Sequence, residues 1–463
     1  MGKKARVVTS LPHHLAAIPT AVPVVVLVDG EHYPAAVADT IVQLQDAGWK
    51  VAGAALTGGA EKLRTEPEYG VPHARGETPF GAVMAALDMV DAAVVVDLSD
   101  EPAMVFEQRM ELVAACAAYG LGYVGADFIV PLVPPPIRMT TPSLAVIGTG
   151  KRIGKTAVSA HLARLADAAL GGRGEVVVVA MGRGGPAEPV VVDRAGGPVT
   201  VERLLELSRA GQHAASDYLE DAALTGLTTI GCRRVGGGIL GVPVSSNVHD
   251  GARIADGLAA QLVIFEGSGS CIPPVSCDAS LLVASTTRPR DILEDTGAFR
   301  RDQAQLILVM GPRDEALELT GAVRERCATS TVIAAELIPT PVADVSGRTV
   351  AIFTSAPDHV APVFERAITN HGAIVRMVST ALARRPDLRE DVQRALDLGV
   401  DTFLVEIKAA GIDVVAEAAA EHGVQLVFLD NRPVAHDPDV NLDTVLTQLA
   451  VATAGLASNP LEP

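Results

Sequence analysis

The chain has 463 residues, of which 49% are hydrophobic and only 3% are aromatic, and its formal net charge is −18. This length allows roughly two to four domains, and the acidic balance argues against nucleic acid or an anionic membrane surface as a partner. The sequence contains no run of about 18 uncharged apolar residues, so it also predicts no membrane span.

The first region alternates strand and helix patterns. Prolines and histidines interrupt residues 1–22, which we interpret as a loose leader rather than a signal peptide. The alternation that follows predicts a doubly wound parallel sheet in a domain over residues 23–135. The proline-rich stretch 130–142 reads as a linker. The predicted elements are strands at 23–28, 49–56, 91–98 and 120–128, and helices at 35–48 and 103–119.

Two further α/β domains are expected, over residues 143–345 and 346–463. In the segment 185–260 the sequence predicts helical pieces and glycine-rich loops rather than a strand. The predicted strands are 143–148, 175–181, 261–266, 280–284 and 306–310 in the second domain, and 348–356, 373–379, 401–407 and 424–430 in the third.

The stretch "VIGTGKRIGKTAVSAHL" (146–162) joins a predicted strand to a predicted helix through a glycine-rich loop. Such a P-loop holds the phosphates of ATP with its backbone N–H groups and a lysine, here Lys155, while Thr156 supplies a hydroxyl for Mg²⁺. The common form has a glycine where this chain has Thr149. The residues expected to bind the nucleotide are Gly148, Thr149, Gly150, Lys151, Arg152, Ile153, Gly154, Lys155 and Thr156.

A second motif, "LVIFEGSGSCIPP" (262–274), also ends a predicted strand. There Glu266 is placed to hold Mg²⁺ or its water. The two motifs together resemble dethiobiotin synthetase and its relatives, which implies a P-loop ATP-binding domain. With the β/α alternation of the other regions, the sequence predicts an α/β fold with several doubly wound parallel-sheet domains around this central domain. A partition-type switch ATPase of the same superclass is an alternative. Its extra lysine would stand at Gly150, whereas this chain has Lys151 one place later.

Cations cluster on short glycine-containing segments of this acidic chain. Arg183 follows the strand 175–181, and Arg233 and Arg234 are expected in a flexible loop, "GCRRVGGG". Together with Lys151, Arg152 and Lys155, they predict a pocket for more phosphate than one nucleotide carries, because guanidinium groups bind phosphate bidentately.

Other polar residues admit two interpretations each. Asp193 and the carboxylates of "SDYLEDA" (216–222), Asp217 above all, are candidates for Mg²⁺ binding. Glu220 and Asp221 could instead cap a helix or pair with Arg233 or Arg234. The remaining assignments are helix capping by Ser246 and Asn247, anion binding by Lys408 and Arg432, a second anion site at Glu31 and His32, and an adenine pocket near 285–292.

The blocks "VDGEHYP", "DLSDEP", "AMGRGGP", "SDYLEDA", "GCRRVGGG", "FEGSGSC", "EIKAAG" and "DNRP", with the P-loop, resemble the cyclic 2,3-diphosphoglycerate synthetase family over roughly residues 20–450. The resemblance implies that ATP is used to join the two phosphates of 2,3-diphosphoglycerate into a cyclic phosphoanhydride. By charge and position, the expected catalytic residues are Lys155, Arg183, Lys151 and Glu266. Substrate binding is expected from Arg183, Arg233, Arg234, Glu31 and His32, and Mg²⁺ binding from Thr156, Glu266 and Asp217.

Two rival functions remain open at this stage. One is another ATP-dependent enzyme on the same scaffold, such as a phosphoglycerate kinase or an amine-carboxylating synthetase. The other is a nucleotide-switched binding protein without small-molecule chemistry. The superclass suggests a homodimer, and five sparse cysteines without a CxxC pair suggest a reduced, cytoplasmic protein.

Overall fold

The computed structural model describes residues 22–59, 63, 65–131, 137–327 and 329–455. Residues 1–21 of the predicted leader and 132–136 of the predicted linker lie outside the described residues. The chain divides into two compact units: residues 1–136 with 290–303, and residues 137–289 with 304–463. None of the helices within the described ranges combines the length and the apolar character that a membrane crossing requires.

The secondary structure follows the β/α rhythm that the sequence predicts. In chain order the strands are β1 (Pro23–Asp29), β2 (Lys50–Thr57), β3 (His73–Arg75), β4 (Val94–Asp97), β5 (Gly122–Val124), β6 (Ile129–Val130), β7 (Ile137–Arg138), β8 (Ser143–Gly148), β9 (Val176–Gly182), β10 (Val190–Val192), β11 (Thr228–Val235), β12 (Ser245–Ser246), β13 (Leu262–Glu266), β14 (Val275–Ser276), β15 (Ala279–Ser285), β16 (Leu306–Met310), β17 (Thr331–Pro341), β18 (Thr349–Phe353), β19 (Ile374–Ser379), β20 (Thr402–Val405) and β21 (Gln425–Ala435). The α-helices are α1 (Pro34–Asp46), α2 (Pro79–Leu87), α3 (Phe106–Ala118), α4 (Lys155–Leu170), α5 (Val201–Arg209), α6 (Asp217–Thr225), α7 (Val248–Asp256), α8 (Arg290–Leu293), α9 (Gly297–Arg301), α10 (Arg313–Arg324), α11 (Ala361–Asn370), α12 (Arg385–Asp397), α13 (Glu417–His422) and α14 (Leu442–Thr453).

The first unit is built on a sheet with the strand order β3-β2-β1-β4-β5-β6. Its pairs are parallel except for β5 with β6. Strands β1 and β4 are apolar up to the aspartates that end them, Asp29 and Asp97, and are largely buried, as is usual for parallel strands that helices cover on both faces. The short helices α8 and α9 also belong to this unit, where α9 packs against α3.

The second unit contains a continuous sheet that runs, in the described part of the chain, β10-β11-β9-β13-β8-β15-β16-β17-β21-β20-β18-β19. The seven strands from β11 to β17 pair in parallel. Strand β17 then pairs with β21 in antiparallel register, from Ala335 opposite Ala435 to Pro341 opposite Leu429. The predicted second and third regions therefore share one sheet, and the exact domain boundaries stay a prediction.

The segment 185–260 differs from its prediction. It contributes strands β10, β11 and β12, and β11 is an interior strand that pairs with β9. The sequence of β11 does not predict a strand because it contains Gly231 and two arginines, which are uncommon in central strands. The glycine has a packing reason: a Cβ at Gly231 would stand 2.6 Å from the ring of Tyr218.

Candidate functional site

The glycine-rich loop leads directly from β8 into α4, as the sequence predicts. Gly154 takes a positive φ of 88° where the helix begins, and a Cβ there would stand 2.7 Å from Leu337. Thr149 donates its N–H to Val283 in β15. In the described part of the chain, the backbone N–H groups of residues 150–156 donate to no protein acceptor. Unpaired N–H groups at a helix N-terminus form a ready site for phosphate oxygens.

Lys155, Thr156 and Glu266 meet at this loop. The Thr156 hydroxyl donates to Glu266 Oε1 over 2.7 Å, and Lys155 Nζ lies 3.7 Å from the same oxygen. Glu266 is 3% exposed and Lys155 is 9% exposed, so both charges are largely removed from water. The second oxygen of Glu266, Oε2, is buried without a hydrogen-bond partner.

Helix α6 brings three carboxylates, those of Asp217, Glu220 and Asp221, close enough to Glu266 for its charge to affect them. Asp217 lies against Gly182 at the end of β9, since a Cβ at that glycine would stand 3.1 Å from Asp217 Oδ2. Burial raises the pKa of Asp217, and the negative charge of Glu266 raises it further. Burial and Glu266 likewise raise the pKa of Asp221 well above its ordinary value, and neither oxygen of Asp221 has a hydrogen-bond partner.

Asp221 is one of the Mg²⁺ candidates that the sequence predicts, and the alternatives of helix capping or pairing with Arg233 or Arg234 are not observed, because neither of its side-chain oxygens has a hydrogen-bond partner. Asp217 and Asp221 are four residues apart, which places them on one face of a helix. The result is a concentration of buried carboxylates beside the P-loop lysine.

This donor set fits Mg²⁺. The hydroxyl of Thr156 and the orphaned oxygen of Glu266 are hard oxygen ligands, and Mg²⁺ is commonly held by one or two carboxylates together with phosphate oxygens. Within the described ranges, no group of three or more His, Cys, Asp or Glu side chains is arranged to hold a metal ion. Phosphate oxygens would therefore have to complete the coordination.

Arg183 lies near the loop that follows Glu266. A Cβ at Gly269 would stand 2.9 Å from its Nη2 atom, so the guanidinium lies directly against this loop. The side chains of Lys151, Arg152, Arg183 and Arg233 are exposed, and none of them makes an ion pair with another described residue. In an acidic protein, such unpaired cations are available to an anionic ligand.

The sequence predicts Arg233 and Arg234 in a flexible loop, and this prediction is wrong. Both residues lie at the end of strand β11. Neighbouring residues of a strand point to opposite faces, so Arg233 is exposed while Arg234 is 7% exposed. Arg234 donates to the carbonyls of Gly236 and Ser268, each over 2.8 Å. It therefore fixes the loop after Glu266, and the two guanidinium groups do not converge.

The side chains of Asn247, Ser246 and Asp193 make hydrogen bonds to the backbone of neighbouring segments. The side chain of Asn247 does not cap α7 but accepts from the N–H of Arg233 over 2.7 Å, whereas Ser246 accepts from Val248 N–H. Asp193 begins a short 3₁₀ turn by accepting from Ala195 N–H.

Lys408 and Arg432 carry carboxylate partners. Lys408 Nζ donates to both oxygens of Glu220, over 2.9 and 3.0 Å, so Glu220 pairs with neither Arg233 nor Arg234. Arg432 donates to Asp443 over 2.6 Å. The segment containing Lys408 thus connects to α6 beside the P-loop site.

Glu31 and His32 lie in the first unit, after β1. Asp29, which is fully buried, accepts from the N–H groups of Glu31, His32 and Asp100 and from the His32 ring. Burial opposes the charge of Asp29, but these hydrogen bonds from His32 and Asp100 outweigh it, so its pKa is lowered. His32 is therefore oriented by Asp29 through Nδ1. The predicted adenine region begins at Ser285, where β15 ends beside β8.

Comparison with known proteins gives a consistent assignment. Models of the P-loop, C-terminal and N-terminal domains of cyclic 2,3-diphosphoglycerate synthetase match residues 143–325, 341–432 and 23–130. A protein named cyclic 2,3-diphosphoglycerate synthetase from Rubrobacter xylanophilus is 43% identical over 92% of this chain and 96% of its own. One of the same name from Thermococcus kodakarensis is 38% identical over 89% and 95%. A solved plasmid partition protein from Borrelia burgdorferi, 11% identical over 56% of this chain and 97% of its own, has a TM-score of only 0.17.

Proposed function

The chain belongs to the cyclic 2,3-diphosphoglycerate synthetase family and forms cyclic 2,3-diphosphoglycerate, and we propose that ATP drives this reaction with release of ADP and inorganic phosphate. The observation that carries the proposal is the meeting of Lys155, Thr156 and Glu266 at a loop whose N–H groups have no protein acceptor. A loop of this kind serves triphosphate binding in P-loop proteins.

The proposed chemistry has two steps. A phosphate oxygen of the substrate attacks the γ-phosphorus of ATP, the bond between the β- and γ-phosphates breaks, and ADP leaves. An oxygen of the neighbouring substrate phosphate then attacks the phosphorylated phosphate. The ring P–O–P bond forms, and the transferred group leaves as inorganic phosphate.

The protein's task is to hold mutually repelling anions in contact, because positioning and charge neutralisation dominate catalysis of phosphoryl transfer. We assign the residue 150–156 N–H groups and Lys155 to the ATP phosphates. We assign Arg183 and Lys151 to the transferring group, supported by their lack of an ion-pair partner among the described residues. Mg²⁺ held by Thr156, Glu266 and Asp217 would neutralise phosphate charge when it is bound.

The remaining assignments follow from position. Arg233 is exposed and can reach an anion, whereas Arg234 orders the loop after Glu266. His32, held through Nδ1 by Asp29, keeps Nε2 for a substrate anion in the first unit, beside Glu31. A homodimer is proposed from the resemblance to the superclass. A cytoplasmic location is proposed because the five cysteines, all within the described ranges, carry thiols rather than disulfides.

Phosphorus NMR tests the proposal directly. Purified protein with ATP, Mg²⁺ and 2,3-diphosphoglycerate should convert the two phosphomonoester signals into coupled phosphoanhydride signals, with ADP and inorganic phosphate appearing together. Lys155→Ala and Arg183→Ala should abolish or greatly slow this change. Persistence of the phosphomonoester signals with intact ATP would overturn the proposal, and a bisphosphate formed from 2-phosphoglycerate would instead support a kinase.

A further inference from the structure

A cavity of about 190 Å³ lies beside the end of β9. Its lining includes Gly184, Gln212, His213, Ser216 and Tyr218. Gly184 directly follows Arg183 in the chain, and Ser216 directly precedes Asp217. The cavity is thus continuous in sequence with two candidate site residues, yet none of its lining residues was assigned a role above. Its small volume suits a compact polar group rather than a large ligand.

Ser216 supplies the feature that points to a ligand. It occupies the position before α6 where a serine usually accepts a hydrogen bond from the helix, but its hydroxyl makes no such bond. The residue is 3% exposed, and its Oγ atom has no hydrogen-bond partner. A buried hydroxyl left unpaired is costly, so an acceptor group bound in the cavity would satisfy it.

The first turn of α6 adds two donors. The N–H groups of Leu219 and Glu220 donate to the Ser216 carbonyl, whereas those of Asp217 and Tyr218 have no acceptor in the described part of the chain. Such N–H groups, together with the helix dipole, favour an anion. The Ser216 hydroxyl and this helix N-terminus therefore present donors to the same small space.

The charge around the cavity selects the kind of anion. No lysine or arginine is among its lining residues, and the first turn of α6 carries Asp217 and Glu220. A phosphate dianion carries twice the charge of a carboxylate and gains more from cationic partners, whereas the single charge of a carboxylate suits the neutral donors of this cavity. His213 also fits closely here, because a Cβ at Gly184 would stand 2.8 Å from its ring.

We propose that this cavity binds the carboxylate of 2,3-diphosphoglycerate, with the Ser216 hydroxyl and the α6 N-terminus as donors. The proposal rests on the proposed function and adds the part of the substrate that does not react. Arg183, beside Gly184, then faces the two phosphates, and its guanidinium lies at the loop that follows Glu266. Anchoring the carboxylate would fix which end of the substrate faces the P-loop.

Equilibrium binding to the full chain tests this assignment. We would titrate 2,3-diphosphoglycerate and glycerol 1,2-bisphosphate, an analogue with a hydroxymethyl group in place of the carboxylate. Ser216→Ala should weaken binding of the diphosphoglycerate by about tenfold or more and leave binding of the analogue unchanged. His213→Ala, at an exposed position, should show the same selectivity with a smaller effect.

Ser159→Ala is the matched control, because Ser159 is also a buried serine with an unpartnered hydroxyl but lies within α4. It should leave both affinities unchanged, and thermal unfolding would verify that all variants are folded. Equal weakening of both ligands by Ser216→Ala, or no weakening of either, overturns the carboxylate assignment. If the wild type still forms the cyclic product in that case, the proposed function stands. If the wild type binds neither ligand and forms no cyclic product, both proposals fail.

Discussion

The hydroxyl of Thr156 donates to Glu266 over 2.7 Å, although 110 residues separate the two in the chain. Strands β8 and β13 are neighbours in the parallel sheet, so their carboxyl ends deliver both residues to one edge. Lys155 joins them at 3.7 Å from the same Glu266 oxygen. Two motifs that are distant in sequence thus form one site.

Lys155→Ala should lower the rate of cyclic product formation by about 10²–10³, the loss seen when one preorganised charge-stabilising donor is removed. The measurement is the initial rate of phosphoanhydride formation, with nucleotide binding followed in parallel. Lys50→Ala, at an exposed position where β2 begins, is the matched control and should retain full activity. Equal rates for the two variants would remove Lys155 from the catalytic machinery.

Gly154→Ala should weaken nucleotide binding and lower the free energy of unfolding. The residue has φ of 88°, which costs an alanine about 1–2 kcal/mol, and the added Cβ would stand 2.7 Å from Leu337. Urea unfolding and nucleotide titration measure both effects. Gly321→Ala provides the contrast, because it lies in α10 with open space around it and should be neutral or stabilising by about 0.5–1 kcal/mol. A tolerated Gly154→Ala would show that the loop needs no left-handed residue there.

Asp29→Asn should reduce the stability of the first unit at neutral pH by about 1–3 kcal/mol, because a charged acceptor of several hydrogen bonds is lost. The pKa of Asp29 is lowered in the folded protein, so the unfolded chain binds more protons between the folded value and the ordinary value near 3.8. Wild-type stability therefore falls as the pH drops through this window, and the variant should lack that part of the acid sensitivity.

Trp49 makes this measurement specific. It is the single tryptophan of the chain, and it is buried in the core of the first unit with Val24 and Val26. Urea unfolding followed by its fluorescence, from pH 7 down to about pH 2 so that the window below 3.8 is covered, reports on that unit. Parallel curves for wild type and Asp29→Asn would contradict the assigned shift.

Lys408→Met should slow product formation more than the double variant Lys408→Met/Glu220→Gln does. Removing the lysine alone leaves the Glu220 carboxylate unbalanced beside Asp217, and removing both charges restores the balance. In unfolding experiments, the coupling between the two residues should stay below about 1 kcal/mol, because the Lys408 side chain is 46% exposed. A double variant no more active than Lys408→Met would show that the charge balance of this pair does not affect catalysis.

The parts of the fold that alternate apolar strands with helices were predictable, since continuous apolar runs announce buried parallel strands. The strands predicted at 143–148 and 261–266 are observed at Ser143–Gly148 and Leu262–Glu266. Strand β11 was not predicted because Gly231 and two arginines interrupt its apolar run.

Strand and ion pairs between residues distant in sequence were not predicted for a different reason. The antiparallel contact of β17 with β21 joins residues about a hundred positions apart, and nothing in the local composition of either strand specifies its partner. The same holds for Lys408 with Glu220, because the sequence predicts an anion for Lys408 and Mg²⁺, a helix cap or an arginine for Glu220. The positions of single charged residues at strand ends were therefore easier to predict than the contacts they make.

Helices α8 and α9 give the first unit a discontinuous sequence, because residues 290–303 complete a body that begins with β1. On the ribosome, the chain must be synthesised past the P-loop and its helix before α9 can pack against α3. The first unit can therefore be completed only after residues 137–289, which belong to the second unit, have been synthesised. A gene fragment ending at residue 136 would encode a body with an uncovered α3, so this protein cannot be divided into its units by a single cut.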